Sequence, residues 1–133
     1  MSTSTAGDAL VRMADAIDAQ DWEGLSDLLA DDFRARYCHT GEEFDGAQFV
    51  ALNRDYPGDW RFVREVVVDG GTTAVLRARV SDAAGRSPEV HQVASFGTVD
   101  ASGRLVALEE VWAEVTAPPQ GDRRPDPTVG GRP

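Results

Sequence analysis

Between Trp60 and Thr116 the chain alternates apolar and polar side chains in four successive runs, each closed by turn-forming residues. The run Thr72 to Ser81 shows the pattern most clearly. Ala74, Leu76, Ala78 and Val80 share one parity, and Arg77 and Arg79 share the other. A period of two places one side of a strand against a core and the other in water. The remaining runs are Trp60 to Asp69, Glu89 to Asp100 and Leu105 to Thr116, separated by Gly70-Gly71, Asp82-Ala83-Ala84-Gly85 and Ser102-Gly103. Long neighbouring strands joined by tight turns predict a twisted antiparallel sheet.

The preceding half reads as helical. Asp8 is a candidate N-cap, and Leu10, Met13, Ala14 and Ile17 recur at helical spacing to about Ala19. Asp21 caps a second helix carrying Trp22, Leu25, Leu28 and Leu29 on an apolar stripe read as core, ended by Ala30-Asp31-Asp32. The period then becomes two, with Phe33, Ala35, Tyr37 and His39 on one face of a strand. Glu43-Phe44 suggests a short return strand. Asp45-Gly46 opens a third helix with Phe49, Val50 and Leu52, to about Arg54, and Tyr56-Pro57-Gly58-Asp59 forms a loop. A twisted sheet with helices on one face is a cup. The expected fold is α+β: a cone-shaped curved antiparallel sheet packed on three N-terminal helices and enclosing a cavity. Residues 8–116 form this single domain. The small polar residues 1–7 and the Pro/Gly/Arg-rich tail 117–133 are expected to be disordered.

Composition narrows the function. Against 23 acidic residues stand 13 basic ones, all arginine, for a net charge of −10. That balance argues against nucleic acid and anionic membranes as partners. The absence of lysine excludes a Schiff-base lysine and a P-loop lysine. The Ala-, Asp-, Gly-, Val- and Arg-rich usage suggests a GC-rich bacterial source. The single cysteine, Cys38, has no internal partner, and no Cys/His ligand spacing is present. With no leader pattern and no long apolar run, the expected location is cytoplasmic.

Three stretches resemble the nuclear-transport-factor-2-like superfamily, in particular its ketosteroid-isomerase-like and SnoaL-like polyketide cyclase groups. They are Ala19-Gln20-Asp21-Trp22-Glu23-Gly24-Leu25 through Leu29-Ala30-Asp31-Asp32-Phe33, then Phe44-Asp45-Gly46, then Ser102-Gly103-Arg104-Leu105-Val106 through Glu110-Val111-Trp112. The resemblance implies that alternate strand positions face a cavity. It also exposes departures from ketosteroid isomerases. Tyr37 stands where they place a catalytic carboxylate, Met13 where they carry a tyrosine donor, and Ser95 near their protonated acid. Steroid-type isomerisation by those groups is therefore not expected.

The resemblance and the alternation together put Leu108, Glu110 and Trp112 on the inward side of the last strand, with Glu109 and Val111 outward. A carboxylate among apolar neighbours is desolvated, its pKa rises, and it becomes suited to general acid–base work. Glu110 is thus the first candidate for proton transfer. Two structural roles compete: an ion pair with Arg61 or Arg64, or a one-residue slip that leaves it in water. His39 and His91, the only histidines, are candidate proton shuttles, with rim hydrogen bonding as their plainer role. Tyr37 and Tyr56 are candidate donors to a carbonyl or enolate oxygen. Met13, Trp60, Ser95, Leu108 and Trp112 are candidate substrate contacts, and Trp60 could equally anchor the sheet. The two histidines and Glu110 lack metal-ligand spacing, so neither metal nor cofactor is expected.

The implied function is cofactor-independent cyclisation, isomerisation or dehydration of a polyketide-like or aromatic metabolite. The alternatives are a non-catalytic module binding a small hydrophobic ligand and, more weakly, an epoxide hydrolase, because no second inward acid or inward arginine is assignable. Pairing of two copies through the outer sheet face, around Arg77 and Arg79, is expected from the resemblance.

Overall fold

A computed structural model describes residues 4–117. Three helices come first: α1 (Ala6–Ala19), α2 (Trp22–Asp27) and, after two strands, α3 (Gly46–Asp55). The strands are β1 (Leu29–Tyr37), β2 (Glu42–Asp45), β3 (Trp60–Asp69), β4 (Thr73–Asp82), β5 (Val90–Val99) and β6 (Leu105–Glu114). They form one curved, unclosed sheet in the order β2-β1-β6-β5-β4-β3.

Each helix start has a local chemical cause. Thr5, not Asp8, caps α1: its hydroxyl accepts from the Asp8 backbone amide at 3.1 Å while the Asp8 carboxylate accepts from the Thr5 amide. Asp8 is the reciprocal member of that capping box, so the helix starts earlier than expected and takes in Ala6 and Gly7. Asp21 caps α2, and Asp45 caps α3 with Gln48 as its reciprocal partner. α2 stops at Asp27, and β1 already begins at Leu29 rather than at Phe33. Residues 1–3 and 118–133 of the expected terminal segments lie outside the described residues.

The strand pattern follows the alternation. β3 to β6 form an antiparallel meander, in which Leu76 pairs with Ser95 and Ser95 with Glu110. β1 departs from the antiparallel expectation by running parallel to β6, with Tyr37 opposite Glu110. A bulge interrupts β3 between Arg64 and Val66.

α1 lies across the concave face of β3, β4 and β5, and α3 against β1 and β2. The core between them holds Leu10, Met13, Leu25, Phe33, Phe49, Leu76, Val93, Leu105 and Leu108, all at most 1% exposed. α1 is also tied to the outer strand by charge. The Arg61 guanidinium donates twice to the Asp18 carboxylate at 2.7 and 2.9 Å, and Asp18 also accepts the Phe62 amide. These bonds, the Arg61 one foremost, hold Asp18 below the usual carboxylate range. Arg64 reaches Asp15 at 3.0 Å.

At the closed end, Gly97 lets the α1 side chain Leu10 approach the sheet backbone. A Cβ at Gly97 would stand 2.8 Å from Leu10 Cδ2 and 3.1 Å from Leu105 Cδ2. Gly97→Ala is expected to destabilise the fold by roughly 1–3 kcal/mol through overpacking. Leu10→Ala alone should cost about 2–5 kcal/mol by leaving a cavity. The double variant should cost clearly less than the sum, because the added methyl occupies vacated space. Urea unfolding of the four proteins measures this, and strict additivity would contradict the contact.

Candidate functional site

The open end of the cone holds a cavity of about 640 Å³. Its wall is assembled from element ends. α1 supplies Ile17 and its cap Gln20, the start of α2 supplies Trp22, and the end of α3 supplies Leu52, Asn53 and Arg54. The strands supply Tyr37, Phe44, Trp60, Phe62, His91 and Trp112. These rings touch one another in a chain: Tyr37 meets Phe44 at 5.1 Å, His39 at 5.7 Å and Trp112 at 6.3 Å between centroids. Trp112 continues to Phe62 at 6.4 Å and His91 at 6.3 Å, and His91 to Trp60 at 6.3 Å. Such a lining suits a flat, mostly apolar molecule.

Below this wall lies a polar group that has left water. Glu110 is 2% exposed and Ser95 0%. The Ser95 hydroxyl donates to Glu110 Oε2 at 2.5 Å, and the Trp112 indole donates to Glu110 Oε1 at 3.1 Å. No arginine pairs with Glu110 among the described residues, since Arg61 and Arg64 are held by Asp18 and Asp15. Burial therefore pushes the Glu110 carboxyl above its ordinary value, against the two donors, which favour the ionised form. Tyr37, opposite Glu110 on β1, is pushed up in turn, first by burial and then by the Glu110 charge. It stays a phenol and a hydrogen-bond donor.

Several expected site residues stand elsewhere than the alternation implied. β1 ends at Tyr37, so His39 sits in the following turn, exposed, and reaches the cavity rim only by stacking on Tyr37. Met13, Leu108 and Ser95 are fully buried and absent from the cavity lining: α1 packs directly on the strands there and leaves no space. Glu110 itself is not among the lining residues. Tyr56 lines the mouth and is 58% exposed. Trp60 does both things expected of it, lining the cavity while its indole donates to the Pro57 carbonyl at 2.8 Å. Trp22, read as core, also lines the cavity. Arg54 was missed; it lines the cavity while bound to Asp55 at 2.9 and 3.0 Å. Its place at the end of α3, next to the loop, was the available signal.

The SnoaL-like domain family matches residues 10–108. The chain belongs to that family. Solved structures agree on the architecture, which is the nuclear-transport-factor-2-like fold. A protein from Kribbella flavida, provisionally assigned as a ketosteroid isomerase, superposes with a TM-score of 0.77 at 23% identity, covering 96% of this chain and 95% of that one. A Sinorhizobium meliloti protein, provisionally assigned as a polyketide cyclase, gives 0.64 at 20% identity over 77% and 93% of the two chains. An epoxide hydrolase of limonene-epoxide-hydrolase-like type from Mycobacterium tuberculosis gives 0.63 at 17% over 81% and 82%. None of the curated proteins matches. At these identities the SnoaL-like chain shares a fold with these structures, and chemistry has to be argued from its own residues. No helix among the described residues is long and apolar enough to cross a membrane.

The raised Glu110 carboxyl has a measurable consequence. As pH climbs above the ordinary value of 4.5, unfolded chains lose this proton while folded ones keep it, so stability falls until the raised folded value is passed. Glu110→Gln has no such term. Relative to the native protein, this variant should therefore gain stability as pH rises above about 4.5, read as the widening difference between two urea-unfolding series. Parallel series would mean that the carboxyl is not desolvated.

Proposed function

We propose that this SnoaL-like protein is a cofactor-independent enzyme that moves a proton on a small polyketide-like or aromatic carbonyl compound, in a cyclisation, isomerisation or dehydration. One observation carries the reading: a fully desolvated carboxyl, Glu110, held by two neutral donors and no cation, on the face of the sheet that forms the cavity. Buried carboxyls with no counter-charge are costly, and such perturbed groups concentrate where proton transfer is needed.

In this reading the aromatic wall holds the substrate flat, with its reacting carbon at the floor between Tyr37 and Trp112. Glu110 exchanges a proton with that carbon. The Tyr37 hydroxyl donates to the oxygen on which negative charge develops, in a site too dry for water to compete. Ser95 and the Trp112 indole orient the carboxyl. The outward sheet face, with Val63, Phe96 and Val111 exposed among Arg77 and Arg79, supports pairing of two copies.

A second reading is favoured by a specific fact: Glu110 and Ser95 lie behind the lining rather than in it. In that case the cup binds an apolar ligand without turnover. Hydrogen–deuterium exchange at the carbon next to the carbonyl separates the two, measured by NMR on a panel of bicyclic aromatic ketones. The enzyme reading expects accelerated exchange that falls roughly 10²–10⁴-fold in Glu110→Gln and about 10²–10³-fold in Tyr37→Phe, with binding retained. Ketones that bind without exchanging, or exchange indifferent to Glu110→Gln, would establish the binding reading instead.

A further inference from the structure

The rim of the cavity carries a second constellation, separate from Glu110. Glu89 immediately precedes β5 and His91 is the second residue of that strand. Across the ladder Glu114 of β6 stands directly opposite His91. One ligating atom from each of the three lies within 4.8 Å of the other two. His91 Nε2 and Glu89 Oε1 are 3.8 Å apart.

Four features make this more than a cluster of surface acids. The donor set is mixed, one imidazole nitrogen and two carboxylates, which is a common set for first-row divalent cations. The histidine is pre-oriented: its ring is set edge-on between the Trp60 and Trp112 indoles, each at 6.3 Å between centroids. Glu89 is steered from behind by Ser87, whose hydroxyl donates to Glu89 Oε2 at 3.4 Å and accepts the Glu89 amide at 3.2 Å. Last, neither carboxylate has an arginine partner among the described residues, so both remain open to an arriving cation.

We propose that Glu89, His91 and Glu114 form a binding site for one first-row divalent transition-metal ion, of the type of Zn²⁺, at the wall of the cavity. Bonds of about 2.1 Å place tetrahedral ligands about 3.4 Å apart. The exposed Glu89 and Glu114 side chains reach that spacing by rotamer adjustment, while the packed imidazole stays in place. Three protein ligands leave a coordination position open, and His91 and Glu114 both line the cavity. The open position therefore faces the cavity and takes an oxygen of a bound molecule: a carboxylate, a carbonyl or one arm of a chelating dicarbonyl. This site does not depend on proton transfer by Glu110, and either assignment can fail alone.

Calorimetric titration of the untagged full chain with Zn²⁺ at pH 7.5 tests it. One equivalent is expected to bind, with affinity falling at least about tenfold in His91→Ala and in the near-isosteric Glu114→Gln. Cys38→Ser, which removes the exposed thiol as a rival soft ligand, should leave affinity unchanged. Co²⁺ should quench tryptophan fluorescence in the native chain and lose that effect in Glu114→Gln, because two indoles flank His91. Absence of Zn²⁺ binding in the native chain, binding indifferent to Glu114→Gln, or binding abolished by Cys38→Ser would each overturn the site.

Discussion

The position of β6 in the sheet determines most of what this molecule can do. β6 is bonded on both sides, antiparallel to β5 and parallel to β1, and its register fixes which residues face the helices. Leu108, Glu110 and Trp112 point to the concave side only because both ladders hold that register. A slip by one would send Glu109 and Val111 inward and expose the carboxyl that now sits in the dry interior. The same register brings Ser95 from one neighbour and Tyr37 from the other alongside Glu110 in a single row across the sheet. A row assembled from three strands is rigid, because every member is fixed by two backbone ladders or by packing against them.

The cone has two different ends, and the difference traces to side-chain size. At the closed end α1 approaches so near that Gly97 is required under Leu10. Toward the other end the concave side chains become large rings, and the helix ends Gln20, Trp22 and Arg54 stand back from the sheet. Bulky residues at diverging element ends cannot close on one another, so space remains. The SnoaL-like cup is thus a consequence of small-to-large grading along the concave face, a packing feature that also decides where a ligand lies.

Much of this was readable from the residues. The period-two runs from Trp60 onward located β3 to β6, and parity read together with the family resemblance placed Leu108, Glu110 and Trp112 inward and Arg77 and Arg79 outward. Asp21 and Asp45 marked two helix starts. What escaped were matters of distance and space. Thr5 and Asp8 are both good caps, and burial of Ala6 and Gly7, invisible in a string, decided between them. Leu28 and Leu29 continue the helical spacing of α2, so the strand start there was masked. The parallel pairing of β1 with β6 joins segments far apart in the chain. Parity puts Met13, Ser95 and Leu108 on the concave side but does not say how far along the cone the cavity extends. Glu89 and His91 were visible as neighbours, but Glu114 joins them only through the β5–β6 register.

The bulge in β3 carries a meaning of its own. β3 is a border of an unclosed sheet, and border strands offer unsatisfied amides and carbonyls to any passing chain. Val63, Val66 and Val68, all exposed, would make that border an adhesive one if it ran straight. Between Arg64 and Val66 the extra residue bends the strand and breaks its repeat, while Arg61, Arg64 and Glu65 crowd it with charge. A second sheet therefore finds no matching ladder to extend. The irregularity thus interrupts the continuous ladder that this margin would otherwise offer.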